Sequence, residues 1–244
     1  MHQAAQKWVD KCKRVVSIYR LAVMLGRKYK PKHECKKWTD KTMPELSNIQ
    51  TYEKLIGEDY QPTLDRFKTV LQQIDLWNDE IQHAFESFEW KVDDNGFVYS
   101  SIVQLGHFKT KFSDIAVRPL VLVYTPAIDK SFTNNWIVCD LLIEIEKLRS
   151  YDYFQSTYSF VKSLTLEMHR EFKQTGVYFT DEAQDGQDFD GIRNANKEKL
   201  WEFDYALIPL SLEQTYSSPP LTHKIIRHDN YLEVWNINRW TPNK

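Results

Sequence analysis

Residues 135–179 read NWIVCDLLIEIEKLRSYDYFQSTYSFVKSLTLEMHREFKQTGVYF, and the period assigned to this stretch decides the fold. Ile137, Leu141, Ile145 and Leu148 recur at helical spacing, with Val138 and Leu142 widening the stripe. Phe154, Tyr158, Val161, Met168 and Phe172 do the same, with Leu164 beside them. Ser150 suits an N-cap, and Gly176 suits a residue in the left-handed region behind a helix. Val177, Tyr178 and Phe179 then enter a strand. The spacing therefore predicts two central amphipathic helices followed by a strand.

The sequence on either side sets the frame for these helices. Residues 4–25 form a basic amphipathic pattern with Trp8, Cys12, Val15, Tyr19 and Val23 on one stripe. A helix is expected at 44–57, where Pro44 fits the first turn. Residues 63–88 carry the longest helical pattern, and its stripe predicts that Trp77 and Phe85 are buried. The period then shortens. Residues 90–92 and 97–99 flank Asp93-Asp94-Asn95-Gly96, a hairpin signature in which Asn-Gly supplies the positive φ of a tight turn. Strands are expected at 118–124 and 200–208, and a second hairpin at 224–227 and 231–236 around His228-Asp229-Asn230.

This order gives an α+β fold: a helical N-terminal part, then a mostly antiparallel sheet packed against two central helices. A division into 1–90, helical and basic, and 91–244, α+β, follows from it, with one continuous domain as the other arrangement.

Composition narrows the function classes. Hydrophobic residues make up 42% of the 244, enough to bury a sizeable core. The seven glycines weigh against glycine-rich phosphate loops, and no apolar run approaches the ~18 residues that cross a bilayer. Three cysteines without paired spacing and a lysine-rich start fit a soluble, cytoplasmic protein. Charge is uneven: residues 1–43 hold 12 basic and 3 acidic residues, and the remainder holds 20 basic and 31 acidic.

Two candidate sites follow from that asymmetry. Lys11, Arg14, Lys28 and Lys30, interleaved with aromatics, suit nucleic acid or another anionic partner. Asp181, Glu182, Asp185, Asp188 and Asp190 form an acidic loop, and Asp185, Asp188 and Asp190 are its candidate ligands for calcium or magnesium. Against the metal reading, an EF-hand register would place Lys197 where a bidentate Glu is needed.

Other carboxylates have spacings that bear on chemistry. Glu80 and His83 have the spacing of a di-iron helix, but no second copy accompanies them. Asp140 and Glu144 would share a helix face, and Glu89-Trp90-Lys91 has nuclease-like spacing. His223 and His228, beside Lys224 and Arg227, suit an anion-binding edge.

No nucleotide-loop, zinc-protease or serine-hydrolase motif occurs. With eight Trp and thirteen Tyr, residues that favour interfaces, the chain reads as a non-enzymatic intracellular binding protein for another macromolecule. A protein partner leads, and a regulator, inhibitor or immunity-type protein fits. The other reading is a nucleic-acid-binding or nucleic-acid-processing protein using the basic N-terminus and a carboxylate–metal site.

Overall fold

In the computed structural model, residues 45–57, 59–92, 98–124, 134–145, 147–149, 152–181, 192 and 199–242 are described. The fold is α+β, with three α-helices and a ten-stranded antiparallel sheet among these residues. The basic segment 4–25 and the turn 93–97 lie outside the described residues.

The deciding stretch folds differently from its helical spacing. Trp136–Ile145 is a strand (β6), not the first central helix. A spacing of four is also a multiple of two, so Ile137, Leu141 and Ile145 lie on one face of a strand as readily as of a helix. Val138 and Leu142 fall on the opposite face. A strand buried on both faces reads as a nearly continuous apolar run, and its β-branched Ile137, Val138, Ile143 and Ile145 suit a pleated surface.

The segment expected as a helix at 44–57 is likewise a strand, Glu45–Lys54 (β1). It pairs with β6 along its full length, from Glu45 opposite Ile145 to Lys54 opposite Trp136. On its other side β1 meets Val177–Asp181 (β9), with Ile49 opposite Phe179. Part of the first 90 residues therefore lies in the middle of the sheet.

The remaining strands extend the sheet both ways. Beyond β6 come Ser113–Tyr124 (β5) and the hairpin Trp90–Val92 (β2) with Val98–Ser100 (β3), while Phe108–Thr110 (β4) also pairs with β5. Beyond β9 come Tyr205–Pro209 (β10), Tyr231–Asn236 (β12) and finally His223–Arg227 (β11). Lys147–Arg149 (β7) and Asp152–Tyr153 (β8) form a separate two-stranded sheet. Both expected hairpins form. The strand expected at 200–208 begins only at Tyr205, because Leu200 and Trp201 lie in a turn.

Alternation along the strands builds two cores. Ile49, Val121, Leu141 and Phe179 face a core shared with the helices. Tyr52, Leu122, Leu142 and Tyr178 face the other way, under Leu200, Phe203 and Tyr216. The helical layer contains Gln61–Gln73 (α1), Asp79–Glu86 (α2) and Gln155–Glu171 (α3). Only α3 is a central helix of the two expected.

The pattern at 63–88 is also broken. Asp75 takes a left-handed backbone (φ 61°), and the Asn78 side chain accepts from the Ile81 amide at 3.0 Å to cap α2. Trp77 falls in this break and is half-buried, as is Phe85, against the expectation that both are buried. Their rings meet edge to face at 5.1 Å.

Gly176 does adopt a positive φ of 97°, after α3 has ended at Glu171. A Cβ there would stand 2.9 Å from the Leu207 carbonyl oxygen.

Leu141 is fully buried on the helix-facing side of β6, whereas Ile56 is 92% exposed beyond the end of β1. Leu141→Ala should cost about 2–5 kcal/mol in denaturant unfolding, through lost burial plus a cavity. Ile56→Ala should stay within about 0.5 kcal/mol. Equal effects would contradict the two-faced strand.

Candidate functional site

The C-terminal hairpin is the best-built polar feature on the described surface. Ile237 donates to the Thr222 carbonyl at 2.8 Å, and His228 donates to the Tyr231 carbonyl at 2.8 Å. Bonded pairs alternate along an antiparallel ladder, so residues 222, 224, 226 and 228 bond to β12. The amides and carbonyls of Ile225 and Arg227 therefore point away from it. Among the described residues β11 has no further strand beside it.

Apolar side chains flank this edge. Leu221, just before β11, is 98% exposed, and Ile226 is 47% exposed. Ile225 packs toward the core on the side away from the helices, so Ile226 and Lys224 stand on the helix side.

Glu233 anchors the hairpin to the helical layer. It lies opposite Ile226. Its Oε1 accepts from Lys162 Nζ of α3 at 2.8 Å and from the Tyr205 hydroxyl at 3.0 Å. Its Oε2 sits 3.1 Å from His228 Nε2. Burial alone pushes the Glu233 carboxyl up, but Lys162, Tyr205 and His228 outweigh it and hold it below its ordinary value. Burial and the Glu233 charge push the Tyr205 phenol far up, and they push Tyr231 up as well. The His228 ring stacks on Tyr231 with centroids 4.6 Å apart.

His169 of α3 meets the same Tyr231 edge to face at 5.2 Å. It is 1% exposed, and neither ring nitrogen has a hydrogen-bond partner among the described residues. Burial, helped by the Lys173 charge, lowers its pKa to about 4, so the ring is neutral at pH 7. A glutamate, two histidines, two tyrosines and a lysine are thus gathered under one edge strand. As a structural clamp they fix the hairpin on α3.

The structure separates the residues that the sequence grouped. His223 does not join an anion-binding edge: it is buried, its Nδ1 lies 3.0 Å from Thr222 Oγ1, and its ring packs on Trp201 and Phe203. His228 is engaged by Glu233, and Arg227 Nε donates to Glu213 at 2.9 Å.

Glu80 and His83 are exposed on α2. Glu89 and Lys91 pair with each other at 3.1 Å. Asp140 and Glu144 lie on one face of strand β6 rather than of a helix, with Asp140 2% exposed. Glu144 stands 3.4 Å from His107.

Asp204 is fully buried, accepting from the Tyr153 hydroxyl at 2.5 Å and paired with Arg239 at 2.9 Å. Three strand spacings, about 14 Å, separate its neighbour strand β10 from β6, so Asp204 and Asp140 do not converge on one cation. Among the described residues no three metal-ligating side chains cluster. Lys11, Arg14, Lys28 and Lys30 lie outside the described residues, as do Asp185, Asp188 and Asp190.

Sequence reasoning missed Glu233, Tyr205 and Lys162 as one unit. A signal was present: Tyr231, Glu233 and Trp235 share one face of β12, so Glu233 is a carboxylate on an otherwise aromatic face. No protein-family model matches the chain, and no curated protein matches it.

The depressed pKa of His169 makes a pH prediction. A ring kept neutral by the fold contributes stability above its unfolded value of about 6.5 and loses it as pH falls through about 4. Stability should therefore decline across that window by up to about 1.4 kcal/mol per pH unit for this one proton. His169→Phe should flatten the decline in a series of melting curves from pH 7 to 4. A residual slope from His223, whose pKa burial also lowers, should remain. An unchanged slope would contradict the buried neutral ring.

Proposed function

We propose that this chain is a non-enzymatic, cytoplasmic binding protein that recognises another protein through its C-terminal hairpin. The observation that carries this reading is the outer edge of β11, beside which no further strand lies among the described residues, with Leu221 and Ile226 exposed next to it. Backbone groups at an edge supply affinity to a partner, and exposed apolar side chains next to them supply the desolvation that such contacts need. The Glu233 clamp supports the reading, since it ties the hairpin to α3 and keeps the docking edge rigid. Less conformational entropy is then lost on binding. No helix among the described residues is long and apolar enough to cross a membrane.

The test compares the wild-type chain with a Leu221→Asp, Ile226→Thr variant, which removes the apolar contacts without setting a second carboxylate opposite Glu233. Both side chains are exposed, so the variant should stay within about 1 kcal/mol of wild type in a melting curve. A partner retained by the wild-type chain would be identified, purified and titrated against both proteins. The variant should bind it at least about tenfold more weakly, a loss of about 1.4 kcal/mol. Equal affinity for both would contradict recognition through this hairpin.

A further inference from the structure

We infer that β11 takes up an extended acidic segment of the partner protein, which adds antiparallel as a further strand of the sheet. This inference rests on the protein-binding reading and specifies its chemistry. The outward-facing groups are the carbonyl of His223 and both backbone groups of Ile225 and Arg227. The His223 amide is already occupied by the Pro220 carbonyl at 2.9 Å. Five groups in a row suit one short strand, and every pairing within the ten-stranded sheet is antiparallel.

Charge identifies the occupant. β11 reads His-Lys-Ile-Ile-Arg, with two cations and no carboxylate. A second copy would place four cations and no carboxylate in one five-residue ladder: centred on Arg227, two guanidinium groups would face each other, and centred on Ile225, Lys224 and Arg227 would stand opposite Ile226 and His223 with no counter-charge. Like charges directly opposite in a sheet destabilise it. An acidic strand meets the opposite condition.

Alternation then fixes a pattern. Lys224 and Ile226 stand on the helix side of the sheet, and Arg227 on the other. An antiparallel segment therefore presents an acidic residue opposite Arg227, an apolar one opposite Ile226, an aliphatic one opposite Ile225, and an acidic one opposite Lys224. Glu213, already bonded to Arg227, is solvent-accessible and yields as the new carboxylate arrives.

The probe is the capped hexapeptide Thr-Glu-Ile-Val-Glu-Thr, titrated to millimolar concentration against the full chain and followed by amide chemical shifts. Saturable shifts at Ile225 and Arg227 are expected, with weaker binding at higher salt. The peptide with Lys in place of both Glu should bind at least about tenfold more weakly.

Two methylated peptides test the strand geometry without altering the protein. The Val amide faces β11 and the Ile amide faces away. N-methylation at Val should weaken binding about tenfold, and N-methylation at Ile should change it less than about threefold. Equal effects of the two methyl groups, or equal binding of the Lys peptide, would overturn the inference. So would sedimentation showing a dimer in which the Ile225 and Arg227 amides are already protected, since a second copy would then hold the edge.

If no peptide binds while Leu221→Asp, Ile226→Thr still weakens partner binding, strand addition fails and protein recognition stands. If the peptide binds as expected but no partner depends on those two residues, the edge accepts acidic strands and the functional reading fails.

Discussion

The ten-rung pairing of β1 with β6 is the interaction on which the rest of the structure depends. Neither strand could be stable alone, because each carries apolar side chains on both faces. Once paired, Ile49 and Leu141 give the helical layer a surface to cover, and Tyr52 and Leu142 do the same on the other side. The end of β1 also ties down the helices. Glu53 accepts from Thr63 Oγ1 at 2.9 Å and from the Arg66 guanidinium, which holds α1 in place. Thr51 Oγ1 donates to the Gly176 carbonyl at 2.7 Å, and Thr175 Oγ1 donates to the Tyr52 carbonyl at 2.5 Å. The chain leaving α3 is thereby stitched to β1 just before it becomes β9.

From this centre the sheet grows outward and becomes less buried. β10 is buried throughout, β12 alternates between buried and half-buried, and β11 is mostly exposed. Polar groups follow the same gradient. Near the centre, charges such as Asp204 are fully buried and bound by Arg239 and Tyr153. At the rim, Glu233 shares its charge among Lys162, Tyr205 and His228 at the margin of solvent. A buried charge that lost a partner there would be costly, so the cluster holds the hairpin in one geometry. The sheet thus ends in a rim held in one geometry, with no strand beyond β11 among the described residues.

The sequence was most legible where its period was unambiguous. The hairpins 90–100 and 223–236 carry turn residues between short alternating runs, and both form. The helix over 155–171 formed because Tyr158, Val161, Leu164 and Met168 mix steps of three and four, which no strand satisfies. Residues 137–145 failed for the converse reason, since steps of four alone fit either period. Residues 45–54 failed because buried Ser47, Gln50 and Thr51 on a central strand gave no apolar alternation to read. The break at Ile74–Asn78 had a local signal in Asn78-Asp79-Glu80, a cap followed by an acidic first turn, beneath a longer apolar stripe. The Glu233 cluster joins residues from α3, β10 and β12, and no local pattern encodes a contact across 71 residues.

The central claim is that β11, with no strand beyond it among the described residues, is an ordered edge with its outer backbone groups available. Amide hydrogen exchange of the free protein, residue by residue along 223–228, tests it most directly. Lys224, Ile226 and His228 should be protected by β12, while Ile225 and Arg227 exchange much faster, an alternation that only a one-sided ladder produces. Uniform protection through Ile225 and Arg227 would mean that the edge is already paired, and uniform fast exchange would mean that β11 is not held in the sheet. Either result would contradict the account.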